Sequence, residues 1–90
     1  MQDKIQVVIY SKPGCHLCED MKEEIARADV ADLYSLSEID IESDPELLRR
    51  YKYDIPVLLI DGIEALRHRL KAEDFSARIL AARKRHSLMK

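Results

Sequence analysis

The 90 residues include only two cysteines, two glycines, three prolines and no tryptophan, and neither sign of charge dominates. Two cysteines are too few for the disulfide framework of a small secreted fold. In a reducing compartment a lone pair is more naturally catalytic, redox-sensing or metal-binding. Fifteen basic against seventeen acidic residues give a formal charge of -2, which offers no electrostatic basis for bulk nucleic-acid affinity. Without a basic stripe beside them, Tyr34, Tyr51 and Tyr53 read as packing groups and not as base-stacking platforms. Long hydrophobic runs are also missing. Met1-Gln2-Asp3-Lys4 leads into only six mostly apolar residues, too short for a signal-peptide core or a membrane span, so a soluble cytoplasmic chain with no membrane partner is expected. There is no internal repeat and no low-complexity segment. An apolar content of 47% suits a single domain over residues 1–90. His16, His68 and His86 show no ligand-like spacing, and a closed metal site needs about four ligands, so no metal is expected.

Both sulfhydryls fall in Cys15-His16-Leu17-Cys18, directly after the apolar run Ile5-Gln6-Val7-Val8-Ile9-Tyr10 and a Ser-Lys-Pro-Gly breaker. The spacing places two thiols on the first turn of a helix, close enough to form a disulfide yet in different environments. Cys15, at the helix start, would meet free backbone N–H groups and the positive end of the helix dipole, which favour a thiolate. It is the candidate nucleophile. Cys18, a turn deeper, is the candidate resolving thiol. Half a zinc site, a zinc or iron–sulfur site shared by two chains, and a pair of incidental buried thiols are the competing readings.

Ile5 to Tyr10 reads as a buried strand, since four of its six residues are Ile or Val. Leu17, Met21, Ile25 and Ala28 recur at helical spacing and predict an amphipathic helix over about His16 to Ala28. A second strand fits Ser35 to Ile41. Ser43-Asp44-Pro45-Glu46 opens a short helix, capped either by Asp44 with Pro45 at its first position or by a Ser43/Glu46 capping box. That helix carries Leu47, Leu48 and Tyr51 inward and ends before Pro56. Val57 to Ile60 is a buried strand, and Asp61-Gly62 predicts a hairpin to a partner strand from Ile63 to about His68. The last helix is expected from Ala72 to Lys84, with Arg85 to Lys90 a frayed basic tail. A right-handed crossover makes the first two strands parallel and the tight turn makes the last two antiparallel. The fold class is therefore α/β, βαβαββα, one mixed four-stranded sheet with helices on both faces.

Three segments carry a resemblance over nearly the whole chain: the strand ending in Tyr10-Ser11-Lys12-Pro13-Gly14, the C-x-x-C of Cys15 and Cys18, and Ile55-Pro56-Val57 at the third strand. They resemble the thioredoxin-fold superfamily and, within it, the short glutaredoxin-like proteins. The resemblance implies a cis Pro56 facing the cysteine pair. The backbone of Ile55 would then be available to an extended substrate segment as an added strand. It also assigns Lys12 to the neighbourhood of glutathione and the nucleophile, where a cation stabilises a thiolate. The buried acid that thioredoxins usually carry six positions before the first cysteine is Ile9 here, which favours the glutaredoxin side. The Gly-Gly turn with which glutaredoxins hold glutathione is missing, because Gly14 and Gly62 lie elsewhere and the matching stretch reads Leu66-Arg67-His68-Arg69-Leu70-Lys71.

Within that stretch Arg67 and Arg69 are candidate receivers of a carboxylate from glutathione or an acidic protein segment, against the alternative of a solvated strand end. A partly protonated His16 is a candidate for lowering the thiolate pKa, opposed by Glu19 and Asp20. The leading expectation is a glutaredoxin-like thiol–disulfide oxidoreductase, monomeric and without a bound cofactor. It would act on a disulfide-bearing protein or a glutathione-mixed disulfide, with electrons from glutathione or from a thioredoxin-reductase-like enzyme. The alternative is a non-catalytic thioredoxin-fold binding module, a redox sensor or a carrier of zinc or an iron–sulfur cluster.

Overall fold

A computed structural model describes residues 4–88. In chain order the elements are β1 (Ile5–Ser11), α1 (His16–Arg27), β2 (Tyr34–Asp40), α2 (Pro45–Tyr51), β3 (Val57–Ile60), β4 (Ile63–Arg67) and α3 (Ala72–Leu88), with single 3₁₀ turns at Ala31–Leu33 and Ile41–Ser43. The four strands form one mixed sheet in the order β2-β1-β3-β4. β1 and β2 are parallel, with Ile9 opposite Glu38 and Ser11 opposite Asp40, while β3 runs antiparallel to both β1 and β4.

Alternation along β1 divides the core between the two faces of the sheet. Ile5, Val7 and Ile9 point to one face and are sealed by Met21 and Ile25 of α1 and by Phe75, Ile79 and Ala82 of α3. There Phe75 meets the Tyr34 ring edge-on at 5.1 Å. Tyr10 points to the other face and packs in a smaller cluster with Leu47, Leu48 and Tyr51 of α2, Ile41, Ile55 and both cysteines. The cysteine pair therefore lies where α1 crosses from the large cluster to the small one.

Local chemistry explains the element boundaries. Asp44 caps α2, its carboxylate accepting from the N–H groups of Glu46 and Leu47, with Pro45 at the first helical position. The Ser43 alternative is ruled out because its hydroxyl donates to the Asp40 carbonyl at 2.6 Å. Asp61 (φ 55) and Gly62 (φ 79) both adopt the left-handed conformation that a tight two-residue hairpin demands.

Two expectations are corrected. β4 stops at Arg67, because His68 takes φ 70 and leaves the strand. The frayed tail expected from Arg85 is helical through Leu88, while residues 89 and 90 lie outside the described residues. No proline or glycine interrupts this stretch, and His86 is anchored by a 2.8 Å contact between its Nε2 and the Asp61 carboxylate. Basic residues in the last turn also suit the negative end of the helix. Among the described residues no helix is long and apolar enough to cross a membrane.

Candidate functional site

β1 delivers the chain to the top of the sheet, and the Lys12-Pro13-Gly14 turn bends it into α1. Gly14 has φ 78, a conformation that costs a side-chain-bearing residue energy, with open space around it. Cys15 then sits at the N-cap of α1 with extended backbone angles, and its Sγ accepts the N–H of Cys18 at 3.1 Å. The two cysteines form a disulfide, their Cα atoms 5.2 Å apart. Their surroundings differ. Cys15 is partly exposed, whereas Cys18 is 1% exposed and packed with Ile41 and Ile55. One helix start thus gives the outer sulfur a backbone donor and the inner sulfur an apolar wall.

The segment before β3 closes the far side. The Ile55–Pro56 peptide bond is cis, and both residues are buried. The Pro56 carbonyl accepts the N–H of His68 at 2.7 Å, and Arg69 N–H donates to the Arg67 carbonyl at 2.8 Å, closing a three-residue turn around His68. The end of β4 is thereby tied to the proline segment.

The remaining candidates from the sequence separate in space. His16 is the first residue of α1 and is exposed, and Lys12 is exposed in the preceding turn. Arg67, the candidate receiver of an outside carboxylate, already pairs with Glu64 and, at 3.1 Å, with Asp54. Its guanidinium lies 5.8 Å from the centre of the Tyr51 ring, and Tyr51 packs against Tyr10 with ring centres 5.0 Å apart. Glu64 holds Arg67 more firmly protonated than usual, and in return Arg67 holds the Glu64 carboxyl below the usual carboxylate range. Arg69 lies on the other side of the strand end and lines a cavity of about 430 Å³ beside α1 with Leu17 and Lys71.

Four contacts escaped the sequence reading. Ser11, 3% exposed, donates its hydroxyl to Glu38 at 2.6 Å, and Lys22 reaches the same carboxylate at 3.1 Å and Glu19 at 2.7 Å. The Ser11 hydrogen bond is the main cause that holds the Glu38 carboxyl below its usual range, with Lys22 adding to it. Glu19, then Glu38, push the Lys22 pKa up. Glu24 accepts the N–H of Ala72 at 2.9 Å and so caps α3 from α1. The signal for the first network was partly present, since Glu19 lies three residues before Lys22 on α1. Among the described residues no three His, Cys, Asp or Glu side chains converge to hold a metal ion.

A family model described as Glutaredoxin-like domain (DUF836) matches residues 6–80. The glutaredoxin-like protein YDR286C homolog of Dictyostelium discoideum is 33% identical over 72 residues, covering 73% of this chain and 67% of that protein. Among solved structures, protein Ne2328 of Nitrosomonas europaea superposes with a TM-score of 0.71 at 26% identity, over 87% of this chain and 94% of its own. Thioredoxin-2 of a malaria parasite superposes with a TM-score of 0.65 at 19% identity, over 90% and 85%, a likeness of fold alone.

Proposed function

Because the chain belongs to the glutaredoxin-like domain family, and its C-x-x-C pair lies on a thioredoxin fold, we propose that it is a dithiol thiol–disulfide oxidoreductase. The observation that carries this reading is the unequal setting of the two sulfurs, one facing a backbone N–H and partly exposed, the other enclosed. In the reduced protein the Cys15 thiolate attacks one sulfur of a substrate disulfide, and the other substrate sulfur leaves as a thiolate and takes up a proton. Cys18 then loses its proton and attacks the Cys15 sulfur of the mixed disulfide, releasing the second substrate thiol. Two electrons have passed to the substrate, and the Cys15–Cys18 disulfide must be reduced by glutathione or by a thioredoxin-reductase-like enzyme. Lys12 would favour the attacking thiolate, and Ile55 and Pro56 would flank an extended substrate segment.

The test is reduction of a model disulfide by the purified protein, coupled first to glutathione with its reductase and then to thioredoxin reductase. Cys15→Ser abolishes exchange in either system, and Cys18→Ser accumulates mixed disulfides on Cys15. No turnover with either donor would replace the enzyme by the binding-module reading.

A further inference from the structure

The 430 Å³ cavity begins at Leu17, the residue next to Cys18, and runs between α1 and residues 68–71. Its floor is apolar, formed by Leu17, Met21 and Leu70. Its walls carry charge of both signs: Asp20, Glu23 and Glu24 stand on the α1 side, Arg69, Lys71 and Glu73 on the other. Asp20, Glu23, Arg69, Lys71 and Glu73 take part in no ion pair among the described residues.

Such a groove admits two kinds of occupant, a small zwitterion or a stretch of polypeptide. The hydrogen bonds around it decide between them. A small zwitterion such as glutathione carries two carboxylates, which backbone N–H groups, an open helix N-terminus or unpaired cations would have to receive. Here the N–H of His68 is spent on Pro56, that of Arg69 on Arg67, and that of Ala72, at the start of α3, on the Glu24 carboxylate. Glu24 thus places the protein's own anion at the first turn of α3, and with Asp20, Glu23 and Glu73 lining the same cavity the carboxylates outnumber the Arg69 and Lys71 cations, which disfavours a ligand that is itself net anionic. What remains is an apolar floor between unpaired side-chain charges of both signs, which fits side chains on an extended segment.

We propose that this groove docks the polypeptide flanking a substrate cysteine, taking an apolar side chain on its floor and charged side chains of both signs on its walls, while the surplus of carboxylates, Glu24 among them, keeps glutathione out. The inference rests on the redox reading above and names its substrate class: protein disulfides in preference to glutathione-mixed disulfides. Recognition by opposed side-chain charges also makes the preference salt-sensitive.

The experiment uses the whole protein and three substrates: a peptide disulfide with Lys, Leu and Glu on both sides of its cysteine, the same peptide with Ser at those positions, and the glutathionylated Ser peptide. The Lys-Leu-Glu disulfide is expected to have a kcat/KM about tenfold above the Ser disulfide, chiefly through KM. That preference should fall to about twofold or less in Glu23→Gln/Arg69→Gln, and likewise for the unaltered protein in about 0.5 M NaCl, which needs no substitution. Glu24→Ala should raise turnover of the glutathionylated peptide relative to the Ser disulfide. Equal turnover of the two peptide disulfides overturns the docking groove and leaves the redox function standing. Faster turnover of the glutathionylated peptide than of the Lys-Leu-Glu disulfide assigns the site to glutathione and overturns it too. Absence of turnover on all three overturns the redox reading, and this inference with it.

Discussion

Removing the Ser11 hydroxyl isolates the one buried polar side chain in the described structure, and the cost should depend on pH. Ser11 is 3% exposed and donates to the Glu38 carboxylate at 2.6 Å, across the parallel β1–β2 pairing. A hydrogen bond to a charged group contributes about 1.5–3 kcal/mol when shielded. Glu38 is 43% exposed on its side chain and keeps Lys22 as a second partner, so solvent screening brings the expected loss for Ser11→Ala down to about 1 kcal/mol. For a domain of this size that is a fall of about 4–8 °C in Tm. The sign follows from linkage. Glu38 is held below its usual range in the folded state, so its contribution is fully present above the unfolded-state pKa and is lost as the pH falls through the folded-state value. Urea unfolding of Ser11→Ala and the unaltered protein at neutral pH and again near pH 3 checks this. The difference should be about 1 kcal/mol at neutral pH and shrink to less than half of that in acid. An equal loss at both pH values would refute the reasoning, since it would mean that Ser11 acts through packing and not through the carboxylate.

Phe75 is fully buried between the sheet and α1 and meets Tyr34 edge-on, so Phe75→Ala should cost about 3–5 kcal/mol, read as a lower urea midpoint with an unchanged slope. His86→Ala removes the contact that pins the last turn of α3 to the hairpin at Asp61, with both side chains about a quarter exposed, and should cost about 1 kcal/mol. Faster amide exchange confined to the last turn of α3 is the accompanying signature. Asp44→Ala removes the side-chain acceptor for two N–H groups at the start of α2 and should cost about 1 kcal/mol by urea unfolding.

The strands, α1, α2, the hairpin turn and the C-x-x-C were legible in the sequence because their determinants are local. A run of Ile and Val, a helical recurrence of apolar residues, an Asp-Pro opening and an Asp-Gly pair each act within a few residues. Contacts set by the assembled sheet were not legible. Ser11 and Glu38 are 27 positions apart and meet only through the β1–β2 register, while Glu24 and Ala72 are 48 apart and meet only because α1 and α3 share one face. The partners of Arg67 were hidden for the same reason. Glu64 is close in sequence, but Asp54 approaches only once β4 has returned beside the proline segment, and the two together occupy the charge. The end of α3 was misplaced because basic composition was taken as fraying, whereas a single contact from His86 to the hairpin holds that turn.

Nothing in the two cysteines' own chemistry separates them; the distinction comes from what each meets. Cys15 ends the turn after β1 and keeps solvent on one side, with the N–H of Cys18 on its sulfur. Cys18 faces Ile41, which follows β2, and Ile55, which precedes β3, so three separate segments must assemble before its sulfur is enclosed. On the proposed reading this division sets the order of events. A substrate disulfide can reach only the outer sulfur, and the enclosed thiol has one partner within its reach, the sulfur to which the substrate is already joined. A substitution that opens the small cluster, such as Ile41→Ala, should therefore let an external alkylating reagent reach Cys18 in the reduced protein, and should slow release of substrate from the mixed disulfide more than its formation.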